Sequence, residues 1–133
     1  MVGDVVCTNG PLRLSLSFAD VDTSHFGVRI LVQIAYAGSF QNLKWSADHV
    51  WIEYPKLQQF EKALLNGVEA TLSDMSDYPI LKFERHTPHE RLTINPRSTR
   101  QSTDGESMTV TMQVLDGTML ALSSSMNEFP KWW

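Results

Sequence analysis

The sequence predicts an α+β fold: a twisted, mostly antiparallel sheet of about six to eight strands, with one α-helix at about 55–66 packed on it. Three observations predict this. Short runs that alternate apolar and polar residues recur along the chain, which is the period of a half-buried strand. Turn dipeptides separate such runs, Asn9-Gly10 and Asp116-Gly117 foremost. Only the stretch from Tyr54 to Gly67 shows three- and four-residue apolar spacing with helix punctuation at both ends.

Taken in order, Asp4 to Thr8, Asn9-Gly10 and Leu12 to Phe18 read as strand, turn and strand, with Leu12, Leu14, Leu16 and Phe18 on one core face. Asp20 to Gly27 is polar and predicts a connection. Val28 to Tyr36 is rich in β-branched residues and apolar on both faces, as a central strand is. A turn at Ala37-Gly38-Ser39 sends Phe40 to Trp45 back, Ser46-Ala47-Asp48 predicts a break, and Val50 to Glu53 leads as a strand into the helix. There Pro55 suits the first turn, where its missing N–H is not needed, and Gly67 suits a left-handed position past the end. Leu57, Phe60, Ala63 and Leu64 make the apolar stripe, and a helix this short is unstable unless it packs on the sheet.

After the helix, Val68, Ala70 and Leu72 resume the alternation, and Ser73 to Pro79 is an acidic turn with Asp74 and Asp77. Ile80 to Arg85 and Arg91 to Ile94 predict a hairpin joined by His86-Thr87-Pro88-His89-Glu90. Asn95 to Glu106 holds no large apolar residue and predicts the longest loop. Met108 to Leu115, Asp116-Gly117 and Thr118 to Ser125 read as a final hairpin, with Val114 facing Met119 and Met112 facing Ala121.

A chain of 133 residues has the size of one domain, 1–133, with enough core to fold without disulfides or metal. The longest apolar run, Val28 to Ala37, is interrupted by Arg29 and Gln33 and is too short to span a bilayer. Met1-Val2-Gly3-Asp4 lacks the basic start of a signal peptide, so a cytoplasmic location is expected and no membrane partner. Cys7, the only cysteine, has no internal partner and is expected to be a core residue. The net charge of −4 argues against nucleic acid as a partner, since such binding rests on neutralising phosphates. Lys82, Arg85, Arg91, Arg97 and Arg100 stand against only Glu84 and Glu90, which predicts a basic patch on an acidic body.

No pattern carries a chemistry. His86, His89 and Glu90 could contribute metal ligands, but a zinc site wants three or four with fixed geometry, and histidines are ordinary in a hairpin turn. There is no Gly-x-Ser-x-Gly elbow, no His-Glu-x-x-His and no Gly-x-x-x-x-Gly-Lys loop. The carboxylate pairs Asp20/Asp22, Asp74/Asp77 and Asp104/Glu106 all fall in predicted turns, where Asp bonds the local backbone. The expectation is therefore a non-enzyme with no catalytic residue, no metal and no cofactor. Trp45 and Trp51 are expected in the core, whereas Trp132 and Trp133 either cover the sheet or form a partner hot spot. One helix on one sheet leaves a face bare, which implies a protein partner or a homodimer. The residues best suited to that partner are Arg85, His86, His89, Arg91, Arg97, Arg100, Trp132 and Trp133.

The element order, with a Trp-bearing strand, the helix YPKLQQFEKALL, then ILKFERHTPHERLTI and a closing hairpin, resembles small bacterial immunity proteins of the WapI-like kind over about residues 28–125. ILKFE is the nearest thing to a signature. The resemblance implies a cofactor-free protein that neutralises the toxin domain of a polymorphic or contact-dependent system, and it assigns no functional residue. An acidic body suits the occlusion of a basic nuclease, because complementary charge speeds and orients association. The alternative is a small-molecule or lipid-binding α+β domain holding its ligand between sheet and helix. A third reading, an enzyme, requires His86, His89 and Glu90 to converge in one cleft.

Overall fold

The computed structural model describes residues 3–86, 88–95 and 108–131. Strands β1 (Gly3–Asn9), β2 (Leu12–Asp22), β3 (Gly27–Ala37) and β4 (Asn42–Glu53) pair in chain order as an antiparallel meander. Alternation decides its inner face: Cys7 lies opposite Leu14 and Leu14 opposite Ile34, while Val5, Leu16 and Val32 make the next row, all buried. Helix α1 (Tyr54–Asn66) follows without a loop. A second meander of β5 (Glu69–Ser73), β6 (Pro79–His86), β7 (His89–Ile94) and β8 (Val110–Val114) buries Ala70, Leu72, Leu81, Phe83, Leu92 and Ile94, and helix α2 (Thr118–Glu128) comes last.

The fold is thus α+β as expected, but among the described residues the single sheet is two four-stranded sheets and the single helix is two. Alternation says which face of a strand is buried and is silent about which strands pair. Here the chain passes from β4 directly into α1, and β5 pairs with β6 instead of continuing the first sheet. The expected closing hairpin is overturned at its second half, where Thr118 to Ser125 is helical. Thr118, Met119, Leu122, Ser123 and Met126 are its buried residues, the three- and four-residue spacing of one helix face. Gly117 does take a positive φ, 90°, but it stands at the helix N-cap and not at the turn of a hairpin.

Two smaller expectations also change. Residues 46–48 do not break β4; the strand is continuous, and Asp48 and His49 together oppose Leu31 in a bulge between the pairs Ala47–Val32 and Val50–Ile30. Gly67 is not left-handed, with φ of −93°. A Cβ there would stand 2.8 Å from the Ala63 carbonyl oxygen and 3.1 Å from that of Glu69, so the site needs glycine for space.

The helices join the sheets. Phe60 of α1 meets Phe83 of β6 with ring centroids 6.4 Å apart, and Phe129, just past α2, stacks on Phe18 of β2 at 5.0 Å. Asn9 Nδ2 donates to Thr118 Oγ1 at 2.8 Å, which ties α2 to β1. Burying a side chain such as Phe60 or Leu64 contributes about 1.5–3 kcal/mol, and the buried residues of both sheets and both helices form one cluster. No described helix is long and apolar enough to cross a membrane.

An ion pair between half-buried Arg85 and buried Glu90 sets the helix ends. Arg85 and Glu90 are opposite one another on β6 and β7, with Arg85 Nε 3.9 Å from Glu90 Oε2. The Arg85 guanidinium donates to the carbonyls of Leu64 (3.2 Å) and Gly67 (3.1 Å) at the C-terminus of α1. The Glu90 carboxylate accepts from the backbone N–H groups of Gly117 (3.1 Å) and Met119 (2.7 Å) at the N-terminus of α2. Each charge therefore sits at the helix end whose dipole favours it and satisfies backbone groups that the helix itself leaves unpaired.

Candidate functional site

Sheet strands β2, β3 and β4 end beside the turn between β5 and β6, and the meeting point is a cleft of about 410 Å³ lined by Asp22, His25, His49, Trp51, Asp74, Met75 and Ser76. Sequence builds each wall. At the β2–β3 turn, Asp22 Oδ1 accepts from the Ser24 hydroxyl (2.7 Å) and the Ser24 N–H (3.1 Å), and its Oδ2 meets His25 Nδ1 at 2.8 Å. The hydrogen bonds from Ser24 and then His25 hold the Asp22 carboxyl below the usual carboxylate range. On β4, the bulge gives His49 a φ of 58° and turns Asp48 towards Arg29, whose guanidinium bonds Asp20 Oδ2 at 2.7 Å and lies 3.5 Å from Asp48 Oδ1. Beyond it, Asp74 Oδ1 accepts from the N–H groups of Ser76 (2.8 Å) and Tyr78 (3.0 Å), and Met75 N–H donates to the Trp51 carbonyl at 2.9 Å. Lys56 of α1 bonds Asp77, which raises the Lys56 amine above its usual range.

The electrostatics of this end are one-sided. Among the described residues at this end, Asp20, Asp22, Asp48, Glu53, Asp74 and Asp77 stand with two cations, Arg29 and Lys56, an excess of four negative charges, and Asp22 and Asp74 line the cleft itself. Trp51, half-buried, lines the cleft, and Phe26, next to His25 in the β2–β3 turn, is 66% exposed with φ of 54°. A cleft lined by the Asp22 carboxylate and by Trp51 is suited to a basic side chain, which would gain both a carboxylate partner and a ring face.

The Asp22, Ser24 and His25 cluster holds the three side-chain types of a nucleophilic relay but not its geometry. Ser24 Oγ and Asp22 Oδ2 both lie at the same imidazole nitrogen, Nδ1, at 3.2 and 2.8 Å. A relay needs the hydroxyl on one ring nitrogen and the carboxylate on the other. The cluster closes a hairpin turn.

The residues expected to meet a partner are placed as follows. Arg85 points inward and is committed to the α1 carbonyls and Glu90. His86 and His89 face each other at the tip of the β6–β7 hairpin on the outer face, with His86 Nε2 3.6 Å from Glu84 Oε2. Glu90 is on the opposite face and 1% exposed, so the three do not converge, and no group of three or more metal-ligating side chains is found among the described residues. Arg91 is exposed opposite Glu84 and Gln113. Among the described residues, the outer face of that sheet sets Lys82 and Arg91 against Glu69 and Glu84. Arg97, Arg100, Trp132 and Trp133 lie outside the described residues. Sequence reasoning located every carboxylate of the acidic end in a turn or strand end but treated each turn separately; their convergence has no local signal.

Comparison with protein-family models, with curated proteins and with solved structures found no match.

Proposed function

We propose that this chain is a non-enzymatic protein-binding module that neutralises a bacterial toxin domain, an immunity protein in the sense of the WapI-like resemblance. The observation that carries the reading is the acidic end around Trp51, which among the described residues holds an excess of four negative charges. A basic partner is steered to such a surface and held there by carboxylates that are already ordered by local hydrogen bonds. The reading that puts a small molecule or lipid between helix and sheet has less support, because Leu57, Phe60 and Leu64 fill that interface against Phe83.

The test is co-purification with the product of the neighbouring reading frame. A stoichiometric complex is expected, together with rescue of cells that express that product. Survival of those cells without this chain overturns the reading. Within the complex, the double substitution Asp22→Lys and Asp48→Lys is expected to slow association about tenfold at low salt, with the difference shrinking at high salt. Equal association rates would move the interface away from this end.

A further inference from the structure

The outer face of the first sheet carries a second cleft of about 410 Å³, lined by Arg13, Ser15, Gln33, Ile34, Ala35, Lys44, Trp45 and Ser46. Register explains its shape. Arg13, Ala35 and Lys44 form one cross-strand row, and Ser15, Gln33 and Ser46 form the next. Two strand spacings separate β2 from β4, roughly 9–10 Å, and Ala35 puts only a methyl group between the two cations. Neither Arg13 nor Lys44 makes an ion pair or side-chain hydrogen bond among the described residues, and no carboxylate lines the cleft. Ser15 is only 9% exposed although it is on the solvent face, and its hydroxyl lies 3.4 Å from Gln33 Oε1.

From this geometry we propose that the cleft is a binding site for a small phosphate monoester. Two long cationic side chains rise on either side of a methyl floor from backbones roughly 9–10 Å apart, so their ends can be brought to one oxyanion, and their two positive charges match a phosphate dianion. Arginine can grip such a group with two parallel N–H bonds, while lysine serves as a point charge. The hydroxyl of Ser46 and the amide N–H groups of Gln33, whose Oε1 accepts from Ser15, supply uncharged donors one row away. The volume falls in the range of small-molecule sites and leaves room for a short organic group beside the phosphate. The site goes beyond the partner-binding reading and does not depend on it.

The experiment is an NMR titration of the ¹⁵N-labelled chain with inorganic phosphate and with glycerol 3-phosphate, using sodium chloride at matched ionic strength as the control. Saturable shifts are expected at residues 13–15, 33–35 and 44–46, with millimolar affinity for inorganic phosphate and tighter binding of the ester. Arg13→Gln or Lys44→Gln should each weaken binding about fivefold, in keeping with one exposed charge contact, and the double variant should abolish it. Arg91→Gln, an exposed cation on the other sheet, should change nothing. Because Arg13 and Lys44 are exposed, the variants should keep the parent melting temperature and a dispersed spectrum. Equal shifts with chloride, shifts elsewhere on the surface, or binding that survives in the double variant overturns the proposal. A thymidine oligonucleotide that binds the same residues more than tenfold tighter per phosphate overturns its small-molecule character. No partner protein is present in the titration, so its failure leaves the proposed neutralising function untouched.

Discussion

At the scale of single residues, Glu90 has the most demanding position, a carboxylate 1% exposed that accepts two backbone N–H groups of α2 and faces Arg85. Glu90→Gln keeps the shape and removes the charge, so unfolding in denaturant should show a loss of about 2–3 kcal/mol, less than a fully enclosed pair because Arg85 is partly solvated. Its acidity was readable in the sequence; its partners, 27 and 29 residues further on, were not. Asp22 behaves differently, being at the surface. Its folded carboxyl titrates below its ordinary value of 3.8, so its contribution is present above that pH and is lost as pH falls through the lower folded value. Protection of the amides at residues 22–25, measured against their intrinsic exchange rates, should therefore fall below about pH 4 in the parent chain, and Asp22→Asn should show no such step.

Among the elements, α2 separates local from long-range causes most clearly. Its buried positions Met119, Leu122, Ser123 and Met126 have helical spacing in the sequence, yet Met119 and Ala121 on one side and Leu120 and Leu122 on the other also fit a strand after Asp116-Gly117. The ambiguity is resolved by Glu90, which satisfies the N-terminal N–H groups, and by docking on β1 through Asn9. Two glycines then predict opposite responses. Gly117 has φ of 90° and open space around an added Cβ, so Gly117→Ala should cost about 1 kcal/mol through backbone strain and Gly117→Asn should recover part of it. Gly67 has ordinary dihedrals and no room, so Gly67→Asn should be at least as damaging as Gly67→Ala. Thermal melts of the four variants decide both claims; equal behaviour of the two Asn variants would refute the distinction. Helix α1, by contrast, was legible almost to the residue, because Pro55 and the Leu57, Phe60, Leu64 stripe are local signals.

For the whole molecule, charge is sorted along the first sheet. The β2–β3 turn and the β4 bulge gather carboxylates, while Arg13 and Lys44 face no carboxylate among the described residues of the outer cleft. This polarity predicts that substitutions at Asp22 and Asp48 alter a basic partner's association rate, whereas Arg13→Gln leaves that rate unchanged at physiological salt because screening acts over about 8 Å; surface-binding kinetics at two salt concentrations measure both. Alternation, turn dipeptides and one punctuated helix were enough to establish an α+β chain, its strand positions and most of its core, because each rests on neighbours within a few residues. How the strands divide into two sheets, what α2 is, and which turns share a cleft were decided only in three dimensions. Strand pairing, a helix cap supplied by a distant strand and the convergence of separate turns are contacts between residues far apart in the chain, and no local pattern encodes them.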